Sequence, residues 1–296
     1  MHPAVCLPGD AVGVRQRFLN VPGAMRILAN DRFVRSAALL AIFAYGLLLA
    51  QLDPGLKLVQ VSAAVFTAAA ISSVAGFAFS AICGAILFHL IDDAVAAVQT
   101  MMICSIVGQS YMVWWLRRQV EWGHLSVFLA GAAVGLPLGV WILLEARGVY
   151  VHGVGLLLVA YASFMLWRPR IVVRRQHPLF DATAGLLGGI TGGAVAFPGA
   201  FVTIWCGLKG WTKERQRALY QPFILLTQIA ALLLIVLAHP ATTGDRLAVG
   251  VESLLFMPPM LLGTSLGLTL FRRLSDGHFK MIVNLLLIAS GLSLLF

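Results

Sequence analysis

The chain has 296 residues, 60% hydrophobic and only 11% charged, with a mean hydropathy of +0.91 and a formal net charge of +9. A soluble domain carries about 25% charged residues, so the composition excludes an ordinary soluble fold and points to an all-α polytopic membrane protein. The basic excess does not call for nucleic acid, because no basic cluster is interleaved with aromatics, and basic residues gather on the cytoplasmic loops of membrane proteins.

In chain order, residues 1–33 read as a basic cytoplasmic arm. Five arginines fall within the first 35 residues, ahead of any apolar run, and no A-x-A cleavage pattern follows, so the arm is not read as a secretory signal. Residues 34–57 hold a first membrane span. Two apolar runs that follow, 58–91 and 179–208, are too long for one crossing. As single helices they would measure about 45–50 Å against a hydrocarbon core of about 30 Å. The second contains "GLLGGITGGAVAFPGAF" (185–201), with six glycines and one proline. Each run is expected to be a helical hairpin broken near its middle, since irregular backbone at membrane depth survives only when buried in protein or lining a cavity. Three spans follow each hairpin, giving a first repeat over 58–167, a cytoplasmic linker at 168–178 and a second repeat over 179–296.

Charge supports this topology. With the N-terminus inside, the inner segments carry 18 Lys and Arg, and the outer segments carry only Lys57, Arg147 and Arg246. A hairpin returns to its own side and three spans do not, so the two repeats have opposite orientation. "AGFAFSAICGAILFH" (75–89) and "AGLLGGITGGAVAFP" (184–198) share an A-G-x7-G-A-x-x-F pattern. Small-xxx-small pairs recur at Gly135/Gly139 and Gly263/Gly267, spacings that let helices approach closely. Inverted repeats with broken helices are the architecture of many secondary transporters.

The second hairpin, the basic loop "KGWTKERQRA" and the run "GTSLGLTLFRRLSDGHFKMIVNLLLIASGLSLL" resemble the TauE/SafE (TSUP) family of sulfite and organosulfonate transporters. The resemblance covers both repeats and is fuller in the second. The family tends to carry G-x-G-G-G followed by Pro in each hairpin. Here the second hairpin has Thr191 in place of one glycine, and the first lacks most of the glycines and the proline. The resemblance implies export of small sulfur-containing anions across the inner (cytoplasmic) membrane, without cofactor or enzymatic step. The open alternatives are a membrane-embedded enzyme, for which no H-E-x-x-H, G-x-S-x-G or convergent acid pair is present, and a transporter of another small anion or metabolite.

The residues suggest how an anion is held. Past each break the second leg is expected to start near Gly84 or Gly193, with free N–H groups and about half a positive charge at its N-terminus. Two such termini make an anion site without a membrane Lys or Arg. The expected substrate-binding residues are therefore Gly84, Thr191, Gly192 and Gly193, with Gln109 and Gln228 as hydrogen-bond donors or, equally, as interhelical glue. Glu252 and His89 are candidates for proton coupling, against the plainer reading of both as interfacial residues. Cys83, Cys104 and Cys206 read as small buried hydrophobes, no metal site is expected, and the tryptophans read as an aromatic belt.

Overall fold

The structure is a computed structural model that describes residues 56–75, 78–145, 147–167, 173, 177–238 and 253–271, with isolated positions between 281 and 295. The expected N-terminal arm and the extra span up to residue 55 lie outside the described residues. Helices run α1 Leu56–Ala75, α2 Phe79–Leu90, α3 Ala94–Leu116, α4 Trp122–Glu145, α5 Arg147–Trp167, α6 Pro178–Val195, α7 Gly199–Leu208, α8 Lys213–Ala238 and α9 Met257–Phe271. No strand occurs among the described residues. Three helices, α3, α4 and α8, are long and apolar enough to cross a bilayer.

Both long apolar runs break into a long first leg and a short second leg. The first divides into 20 and 12 residues, the second into 18 and 10. The short legs measure about 18 and 15 Å, too little to cross the hydrocarbon core. Side chains hold the ends of each run together. Lys57 Nζ lies 3.4 Å from Asp92 Oδ2 across the open end of the first hairpin. Asp181 in the first turn of α6 and Lys209 just after α7 pair across the second at 2.6 Å. Beside that pair the Val173 N–H donates to the Leu208 carbonyl at 2.8 Å. Each run thus begins and ends at one place, as a hairpin must.

Glycine decides how the legs pack. In α4, Gly131, Gly135 and Gly139 lie against the Ala182, Leu186 and Ile190 carbonyls of α6. In return Gly185, Gly189 and Gly193 of α6 lie against the backbone of Phe128, Ala132 and Leu136. The four-residue spacing puts each set on one helix face. Without Cβ atoms the two backbones come into contact, which replaces the hydrophobic drive that lipid cannot supply. The second small-residue pair behaves alike: Gly263 and Gly267 of α9 seat on the Phe66 and Ala70 carbonyls of α1. These two interfaces are the most extensive among the described helices, and α3 also packs against α8.

The hairpin breaks correct one expectation. The second legs start at Phe79 and Gly199, not near Gly84 and Gly193. Gly84 lies within α2, and Gly193 lies near the end of the first leg, α6. The A-G-x7-G-A-x-x-F match is therefore out of structural register, because Ala75 ends a leg while Ala184 is inside one. Aligning the starts of the short legs sets Ala78 opposite Pro198. The shared glycines misled because Gly185 and Gly193 serve the contact of α6 with α4 and do not mark the turn.

The described residues bury one large core. It draws on α1 to α8, together with Phe256 and Met260, and surrounds both breaks. A smaller core of Leu125, Phe128, Val202, Trp211 and Phe223 lies beneath the basic loops.

Candidate functional site

The second break is built from residues that stop α6 without ending its hydrogen bonding. Ala196 takes a left-handed conformation (φ 55°), which costs a non-glycine residue about 1–2 kcal/mol. Its N–H still reaches the Gly192 carbonyl and the Phe197 N–H reaches that of Thr191, both at 3.1 Å. The Thr191 hydroxyl lies 3.0 Å from both the Leu187 and the Phe197 carbonyls, fastening the strap to the helix. Gly192 has no side chain because Pro198 folds back over it, 2.9 Å from where a Cβ would stand. Pro198 offers no N–H, and α7 begins at Gly199 without a side-chain cap. In the first hairpin α2 begins after Ala78, also without a side-chain cap, and Ala78, Phe79, Ser80 and Ala81 are all buried.

Gln228 joins the two breaks. It rises from the middle of α8 and is 1% exposed. Its Nε2 donates to the Ala196 carbonyl at 3.0 Å and lies 3.4 Å from Ser80 Oγ. Its Oε1 is buried without a partner. Next to this bridge is a cavity of about 10 Å³, lined by Ser80, Gly84, Phe88, Leu158, Val195 and Phe197. That is about the volume one water needs.

The structure therefore brings together Gly84, Gln228 and the Thr191–Phe197 strap. Gln109 is buried on α3, the helix that packs against α8. Gly193 does not belong with them. A Cβ there would stand 2.7 Å from Leu136 O and Val140 N, so this glycine serves the α4 contact. His89 is exposed in the last turn of α2, and Glu252 lies outside the described residues. Cys83, Cys104 and Cys206 are buried free thiols. Trp114, Trp122, Trp141 and Trp167 are exposed, as a belt requires, but Trp211 is buried.

Trp211 belongs to a cluster that the sequence reading missed. Asp181 and Lys209 are the only charged side chains buried among the described residues. The Trp205 indole N–H also donates to Asp181 Oδ1, at 2.6 Å. The Lys209 ammonium lies 4.6 Å from the Trp211 ring centre, and the Arg215 guanidinium lies 4.2 Å from it. Arg215 in turn holds Glu121 in the α3–α4 loop through two hydrogen bonds. That grip holds the Glu121 carboxyl below its ordinary range, against the opposing effect of burial and with smaller help from the Arg215 and His124 charges. The loops at 117–121 and 209–217 and residue 173 thus meet at one end of the bundle. Asp92 lies at the other end, since α3 separates it from Arg117. The signal available in the sequence was a lone aspartate entering an apolar run with a lysine closing it.

A comparison with protein families decides the relationship. The family described as "Sulfite exporter TauE/SafE" matches residues 61–294. The chain belongs to the TauE/SafE family. The match begins within α1 and so takes in both hairpins and every helix after them. No curated protein and no solved structure matches the chain. As a TauE/SafE protein it is a membrane transporter of the sulfite-exporter type, and three of the described helices are long and apolar enough to cross a membrane.

Proposed function

We propose that this TauE/SafE protein exports a small sulfur oxyanion, sulfite or a short organosulfonate, through a site between the two hairpin breaks. The observation that carries the reading is the Gln228 bridge from Ser80 to Ala196. It sets two buried helix starts without side-chain caps at one place. Each contributes free N–H groups and about half a positive charge, which suits an oxyanion and gives a cation no reason to bind. Gly84, Thr191, Gly192, Gln109 and Gln228 are the residues assigned to it.

The repeats are read as inverted. The second span of the first repeat, α4, packs on the hairpin of the second, and α9 of the second repeat packs on the hairpin of the first. Such an exchange is what a two-fold axis in the membrane plane produces. The positive-inside rule places the basic loops and the N-terminus in the cytoplasm. A cavity with room for one water is too small for sulfite. Loading it therefore needs the breaks to part, and rocking of the two units around the site supplies that motion.

The test is efflux of labelled sulfite, sulfoacetate and chloride from proteoliposomes, with a cation control. Sulfur-oxyanion flux that falls in Gln228→Leu supports the reading. Transport of a cation with no response to any sulfur oxyanion overturns it.

A further inference from the structure

We propose that Lys209, Trp205 and Trp211 form an oxyanion station at the basic-loop mouth of the second hairpin, and that the Asp181 carboxylate occupies it as a tethered stand-in for the transported anion. The inference rests on the reading of the substrate as an oxyanion.

Three observations carry it. The first is the donor set. Asp181 receives the Lys209 ammonium at 2.6 Å on Oδ1 and 2.8 Å on Oδ2, with the Trp205 N–H at 2.6 Å on Oδ1. These are short, charge-assisted contacts of the kind that hold a bound oxyanion. The second is a donor left over. The Trp211 indole N–H is buried and has no acceptor, and the Lys209 ammonium lies over the face of that ring, 4.6 Å from its centre. A buried donor is seldom left unmade. A carboxylate has two oxygens, whereas sulfite and sulfonates have three, so a third donor suits the free anion better than its stand-in. The third is a contrast within the chain. The first hairpin is closed by Lys57 and Asp92, whose side chains are 61% and 99% exposed. Closing a hairpin thus needs no buried pair. Burying one brings no reliable gain in stability over apolar residues of the same size.

Position agrees with this role. Lys209 follows the last residue of α7, one short leg from the break, or about 15 Å. An anion leaving the basic loops for the centre meets Lys209 first, and it takes the ammonium by displacing Asp181. Arg215, paired with Glu121, flanks the station across the Trp211 ring.

The test uses the full chain purified in detergent. Asp181→Asn leaves Lys209 buried without its carboxylate and is expected to lower Tm. Sulfite or formate should then restore it, by about 5 °C at a hundredfold excess over Kd. Asp181→Asn/Lys209→Met removes the charge and should fold without responding to either anion. Absence of rescue in the single variant, or equal rescue in the double, overturns the proposal. Trp211→Phe keeps the ion pair and so does not depend on the fold surviving a buried lone charge. The smaller ring leaves a void in the lesser core, so Tm should fall, while the half-saturating sulfite concentration for flux by the folded protein should rise about tenfold; an unchanged value overturns the proposal. Formate rescue of Asp181→Asn with no sulfite flux by the parent chain would keep the station and remove the proposed substrate. Flux by the parent without rescue would do the reverse.

Discussion

Arg215 grips Glu121 through Nε at 2.9 Å and Nη2 at 2.8 Å, across 94 positions of sequence. The pair ties the loop before α4 to the first turn of α8, so the starts of these two helices share one end of the bundle. Cysteines placed at Arg118 and Lys213, with the native cysteines removed, are expected to share one accessibility and a cysteine at Lys57 to show the other. With the basic end inside, the first two resist a membrane-impermeant thiol reagent in whole cells and the third reacts. Different labelling of 118 and 213 would contradict the packing itself.

The same pair predicts a pH dependence. Arg215 lowers the folded-state pKa of Glu121, so the stabilisation is fully present above the unfolded value of about 4.3. It is lost as pH falls below that value and through the depressed folded one. Both side chains are more than a third exposed, which keeps the effect within about 1 kcal/mol. In a His124→Asn background, where no imidazole beside Glu121 adds its own pH dependence, the Tm gap on changing Glu121→Gln should be constant from pH 7 to about 5 and close at lower pH. A gap that widens on acidification would reverse the sign.

Gly193 and Gly267 are expected to behave alike. Leu at either forces apart helices whose backbones touch, at α4–α6 and at α1–α9 respectively. Both variants should lose most of their folded yield in size-exclusion profiles. Gly207→Ala, where an added Cβ meets nothing within 4 Å, should be neutral. A well-folded, inactive Gly193→Leu would return this glycine to the transport site.

Gln228→Leu strands the Ala196 carbonyl and removes the link to Ser80. An unpaired buried acceptor costs about 1–3 kcal/mol, which a bundle of this size tolerates. Sulfite efflux at equal reconstituted protein should fall at least about tenfold, while Ser80→Ala, with the 3.0 Å bond to Ala196 intact, should fall less. Equal and full activity in both would make the bridge mere helix glue.

Run lengths, charge and small-residue spacing made the hairpins and their long partners legible. Length exceeded one crossing, basic residues fell on one set of loops, and Gly135/Gly139 and Gly263/Gly267 did mark close helix contacts. The exact breaks were not legible, because glycine has two uses and a sequence does not say which applies. Gly193 removes a Cβ from a helix interface, whereas the turn falls three residues later on an alanine. Gln228 was visible as a polar residue deep in a span. That its amide reaches Ala196 and Ser80 depends on how α8 packs, which the pattern of α8 alone does not set. Asp181 and Lys209 were hidden for a similar reason: neither stretch alone says that the hairpin folds one onto the other.

The short legs also have an electrical consequence. In the proposed orientation they enter from opposite faces, and their lengths of about 18 and 15 Å together match the insulating layer of about 30 Å. Their starts then sit near the middle of the transmembrane field. One unit of charge crossing 100 mV changes energy by about 2.3 kcal/mol, so each half of an anion's passage carries roughly half of that. With the cell interior negative, both halves run downhill outward for an anion. Export of the anion with no coupled ion is then electrogenic, and clamping a liposome positive on the loaded side should slow it at both steps.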